Sequence, residues 1–104
     1  MQIDKLRGKE LDQLFKAILS LKDLEECYEF FDDLCTINEI QSLAQRLEVA
    51  RMLQNGYTYH KIETETGAST ATISRVKRCL NYGNESYQMT LNRVHEQEKQ
   101  NNQS

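Results

Sequence analysis

The side chains whose types and spacing point most clearly to chemistry lie between Thr58 and Leu80. The run Ser69-Thr70-Ala71-Thr72-Ile73-Ser74-Arg75 puts small hydroxyl residues just ahead of the cations Arg75, Lys77 and Arg78. No Asp or Glu occurs between Ala68 and Asn84. A hydroxyl both donates and accepts, so short hydroxyl side chains at a helix start can read a surface that approaches closely. The free amides and positive dipole end there favour anions. This is the equipment of a helix that enters the major groove of a duplex, with small polar groups at base edges and cations on phosphates. Ser69, Thr70 and Thr72 are the candidates for bases, and Ala71 for a thymine methyl. Tyr59, Lys61, Arg75, Lys77 and Arg78 are the candidates for phosphates. His60 stands with Tyr59 and Lys61 at the start of the preceding helix, where such proteins cross the backbone.

Other chemistry finds little support. His60 and His95 lack partners at metal-ligand or triad spacing, so no metal is expected. Cys27, Cys35 and Cys79 are odd in number and fit neither a zinc site nor a redox pair. They are expected as reduced thiols in a cytoplasmic protein. Cys79 is expected to be buried; with Lys77 and Arg78 beside it, a redox switch is the alternative reading. The carboxylates follow helical faces and form no isolated acid–base pair, and no glycine-rich phosphate loop occurs. No enzyme is expected.

The elements that must position this stretch are helices. The 104 residues include no proline and four glycines, and no long alternating strand pattern appears. Thr58 is the expected cap of one short helix and Ser69 of the next. Gly67 supplies the positive φ that a tight turn between them needs. Ile62, Ile73 and Val76 should form the small core of the pair. Upstream, apolar residues from Ile3 to Leu19 predict a first amphipathic helix, and Leu24 to Leu34 a second. Thr36-Ile37-Asn38-Glu39 is a capping box opening a third, which stops at Asn55-Gly56. Asn81 to Asn84 predicts a turn, and a sixth helix follows from about Glu85. Residues 1–95 are expected to form one all-α domain, with the helix-turn-helix at 58–80. The polar residues 96–104 are expected to be a frayed or disordered tail.

Net charge is −3, which at first argues against a polyanionic partner. The distribution reverses this. Residues 1–40 carry five Lys/Arg and ten Asp/Glu, a net of −5. Residues 41–83 carry six and three, a net of +3. Where charge sits matters more than its total. No run approaches the roughly 20 apolar residues of a membrane helix, so no membrane partner is expected.

The segment Leu34 to Leu80 resembles the core of the Trp repressor, and more closely the Trp-repressor-like YerC/YecD family. The residues that carry this are Leu34-Cys35-Thr36, Arg46, the helix ending at Gly56, Gly67-Ala68 and Ala71-Thr72-Ile73-Ser74-Arg75. The resemblance implies a six-helix, intertwined homodimer that binds double-stranded DNA as a transcriptional regulator, most simply a repressor. It also implies a ligand site. Thr36, Arg46 and Arg75 match positions that contact the amino acid in the Trp repressor. Val76 and Cys79 stand where the family has a small glycine and a serine. A branched side chain there should fill the space for an indole, so L-tryptophan is a doubtful corepressor and no cofactor is expected. Arg46 and Arg75 have structural alternatives in pairing with Glu39 or Glu48, or in contacting phosphate directly.

Two other functions fit parts of the chain. The acidic helix Leu24 to Asp33 suits a protein-interaction module, with the helix-turn-helix as a relic. A sensor for a tryptophan-like amino acid would use the ligand positions just named.

Overall fold

The computed structural model describes residues 1–103; Ser104, the last residue of the expected tail, lies outside them. The described residues contain helices and turns, and no strand. Where the sequence suggests one domain, the chain divides into two compact units, Met1–Ile40 and the residues from Gln41 onward.

The first unit holds a short 3-10 helix (Gln2–Leu6), α1 (Lys9–Leu19), α2 (Leu24–Leu34) and the opening of α3 (Ile37–Gln54). The sequence predicts one continuous helix from Ile3; the chain instead breaks at Arg7 and Gly8, both extended. The first turn is held by Asp4, whose carboxylate accepts from the Arg7 guanidinium at 2.7 Å and from the terminal ammonium at 3.0 Å. Both cations hold that carboxyl below its ordinary range, Arg7 more strongly. Asp23 caps α2 by accepting from the Glu26 amide at 2.8 Å, and the Glu26 carboxylate accepts from the Lys22 amide. Phe30 and Phe31 meet edge to face, 5.7 Å between centroids. No residue of these helices is fully buried, and Leu19, Leu24, Tyr28 and Leu34 remain exposed.

The capping box at α3 forms as expected. The Thr36 hydroxyl accepts from the Glu39 amide at 3.1 Å, and the Glu39 carboxylate accepts from the Thr36 amide at 2.9 Å. These bonds to the charged form keep the Glu39 carboxyl below its ordinary value, the backbone bond contributing most.

The second unit contains the core. Val49, Ala50 and Met52 of α3 close on Ile62 of α4 (Tyr59–Thr66), on Ala68, and on Ile73 and Val76 of α5 (Thr70–Tyr82). Tyr87 and Leu91 of α6 (Ser86–Gln103) pack against this cluster from outside. Burying one of the Val, Ile or Met side chains of this cluster is worth about 1.5–3 kcal/mol. Two element ends differ from expectation. α5 continues past Leu80 to Tyr82, so the turn is confined to Gly83 to Glu85. There Gly83 brings its amide to the Cys79 carbonyl at 2.8 Å, leaving no room for a Cβ against that carbonyl. α6 runs on to Gln103, so residues 96–103 are helical rather than frayed. Their Glu, Gln and Lys side chains are good helix formers, and neither Gly nor Pro interrupts them.

Candidate nucleic-acid interface

Both helix starts in the 58–80 stretch are fixed by their own side chains. The Thr58 hydroxyl accepts from the Lys61 amide at 3.2 Å, and Ser69 Oγ accepts from the Thr72 amide at 3.1 Å. α4 ends at Gly67, whose φ of 72° lies in the left-handed region. Thr66 locks the same corner. Its hydroxyl donates to the Ile62 carbonyl at 2.7 Å and accepts from the Ala68 amide at 3.1 Å. Gln45 of α3 reaches over and donates to the Thr66 carbonyl at 3.0 Å. Ile62, Ile73 and Val76 are buried as expected. Two helices are thus held at a fixed turn on a third.

The outward face carries most of the expected contact residues. Ser69, Thr70, Arg75, Lys77 and Arg78 are exposed, as are His60 and Lys61. Thr72 and Tyr59 are half-buried. Arg75 and Arg78 take part in no ion pair among the described residues. Lys77 Nζ sits 5.5 Å from the centroid of the Tyr59 ring, tying the start of α4 to the middle of α5. Lys61 is already engaged with Glu65 at 2.8 Å, which raises its pKa above the ordinary lysine value. The hydroxyls are partly engaged too. Ser69 donates to the Thr72 hydroxyl at 3.1 Å, and Thr70 donates to Glu63 Oε1 at 2.7 Å. Glu63 escapes a sequence search because its partner lies seven residues on, across the turn.

The ligand positions that belong to the second unit come together. Arg46, Arg75, Val76 and Cys79 line one cleft with Thr72 and Tyr87. Thr36 belongs to the other unit, where its hydroxyl caps α3. The cleft measures about 160 Å³, below the roughly 300–1,000 Å³ of small-molecule sites. Val76 is 2% exposed and fills its floor. Cys79 is exposed, contrary to expectation, because α5 turns Ile73, Val76 and Leu80 inward and leaves Cys79 at the rim. Neither expected carboxylate reaches an arginine of the cleft. Glu48 binds Arg51 at 2.5 Å, and Glu39 is spent on the α3 cap. A larger open cleft of about 470 Å³ lies beside Tyr57, Tyr59 and Lys77, away from these positions. Among the described residues no cluster of His, Cys, Asp or Glu could hold a metal, and no helix is long and apolar enough to cross a membrane.

Six α-helices with this locked pair define a helix-turn-helix protein. The profile described as Trp repressor protein matches residues 9–95, and the chain belongs to the Trp repressor family. It is 87% identical over 98 residues to the uncharacterized protein YerC of Bacillus subtilis (strain 168), covering 94% of each chain. It superposes on the crystal structure of a Trp repressor candidate from Staphylococcus aureus with a TM-score of 0.89 and 67% identity, over 91% of this chain and 95% of that one. A TrpR-like protein from Eubacterium eligens ATCC 27750 gives 0.85 and 60% identity, over 88% and 95%.

Proposed function

We propose that this chain is a sequence-specific DNA-binding transcriptional regulator, a repressor that works as a homodimer. The observation that carries this is α5. Its first turn presents exposed Ser69, Thr70 and Ala71, its flank presents Arg75 and Arg78 without ion-pair partners among the described residues, and its sequence bears no acid. Arg75, Arg78 and Lys77 hold phosphates, with Tyr59, His60 and Lys61 at the backbone crossing. Ser69, Thr70 and Thr72 face base edges. Two copies would set their recognition helices in successive major grooves about one helical turn apart, the spacing of helix-turn-helix dimers. Apolar residues exposed on the single chain, among them Leu19, Leu24, Leu34 and Leu43, support a second copy as their cover.

The small, floored cleft beside Val76 favours a regulator that holds its reading helix in place without L-tryptophan. Binding of the purified protein to a pool of random duplexes at physiological salt tests the function. Enrichment of a palindromic motif supports it. No enrichment, with a protein partner captured through Leu24 to Asp33, would support the interaction-module reading, which the exposure of Leu24 and Tyr28 among Glu25, Glu29 and Asp32 favours.

A further inference from the structure

We infer that Glu63, held by Thr70, is a base-reading residue that selects a cytosine in the major groove. This rests on the regulator function proposed above. Thr70 is the first residue of α5, and its hydroxyl proton is committed to Glu63 Oε1 at 2.7 Å. A hydroxyl that has given its proton away keeps only lone pairs, and an ionised carboxylate has only acceptors. The two side chains therefore form a patch at the tip of the recognition helix that accepts hydrogen bonds and donates none.

Such a patch is selective by chemistry alone. In the major groove the only base-edge donors are the exocyclic amino groups of cytosine and adenine. Guanine presents two acceptors there, and thymine an acceptor and a methyl. An acceptor-only patch against either leaves lone pairs facing lone pairs. Cytosine N4 is the partner that a carboxylate suits.

Charge argues the same way. Glu63 joins no ion pair among the described residues, whereas its neighbour Glu65 is neutralised by Lys61. An unneutralised carboxylate beside the start of α5 repels phosphates, which line duplex DNA at about one charge per 1.7 Å. Docking is favourable only if that carboxylate meets a donor. Glu63 thus raises affinity for one base and lowers it for the others and for non-specific sequence.

The test is the random-pool selection run in parallel with wild type, Glu63→Gln and Glu63→Ala, with circular dichroism confirming that each variant is helical. Wild type should enrich a motif with cytosine at one position of each half-site. Glu63→Gln, whose amide both donates and accepts, should move that position toward adenine and leave the others alone. A purely structural latch would instead leave the motif unchanged, since glutamine still accepts from Thr70, and that result overturns the inference while the regulator function stands. A wild-type selection without any motif overturns both. If a variant fails to fold, the DNA decides. Replacing each cytosine of the wild-type half-site by thymine, one at a time, should weaken wild-type binding about 5- to 150-fold at one position. Uniform tolerance at every cytosine overturns the inference.

Discussion

The proposed DNA interface leans on single side chains, Arg75 first among them. Arg75 is exposed, lacks an ion-pair partner among the described residues, and lies one residue before the buried Val76. Its expected role is phosphate contact. Arg75→Ala should weaken binding to specific and random duplexes alike, and reduce the slope of log K against log salt by about 0.9, the value for one phosphate contact. Titrations at several salt concentrations check this; a change of preferred sequence with an unchanged slope would assign Arg75 to a base. Val76 makes a second claim at this scale. With its side chain on the floor of a cleft of about 160 Å³, added L-tryptophan at millimolar concentration should leave both the melting temperature and the DNA affinity unchanged. A ligand at a hundred times its Kd would stabilise the fold by about 2.7 kcal/mol, a readily visible shift. The capping side chains Thr36, Thr58 and Ser69 and the core residues Ile62, Ile73 and Val76 were all legible, because each acts within one helix or across one turn. The engagement of Glu39 and Glu48 elsewhere than with Arg46 or Arg75, the exposure of Cys79 and the Thr70–Glu63 bond were not. These depend on how neighbouring helices rotate against one another, which periodicity does not encode.

Elements turn on their ends. Gly67 sits at φ 72° with open space where a Cβ would go, so alanine there meets only backbone strain. Gly67→Ala should cost about 1–2 kcal/mol in urea unfolding, with Gly67→Asn costing less, because asparagine tolerates the left-handed region better. The α3 cap adds a pH dependence. Glu39 is more acidic in the folded chain than its ordinary 4.5, so the unfolded chain takes up a proton first as pH falls. Its contribution is complete above about 4.5 and drains away as pH drops through the lower, folded value. The melting temperature of Glu39→Gln should therefore lie below wild type at pH 7 and converge with it once the pH has fallen below the folded value. Boundaries were the least legible part of these elements. The break at Gly8, the extension of α5 to Tyr82 and the length of α6 each reflect a local hydrogen bond or a run of good helix formers. Composition alone does not rank these against the turn signals nearby.

At the scale of the whole molecule, stability should depend on concentration. Among the described residues seven apolar side chains are buried, while Leu19 stays 83% and Leu24 73% exposed. A core of this size stabilises a small domain only marginally. If a second copy covers the exposed residues, the melting temperature rises with protein concentration and sedimentation gives twice the chain mass. A concentration-independent transition at the mass of one chain would remove the homodimer from the proposal. The order of six helices was legible here, because each has its own start and stop. The division near Ile40 was not, since α3 runs straight through it.

The seven core residues all fall between Val49 and Val76, so the contacts that hold the helix-turn-helix close short loops. Chains dominated by such local contacts fold in microseconds to milliseconds. An opening of this unit would heal within that time. If the homodimer forms, the slow event in building the regulator is then the meeting of two chains. Their number in the cell, rather than the folding of either, would set how soon a freshly made copy is ready to act.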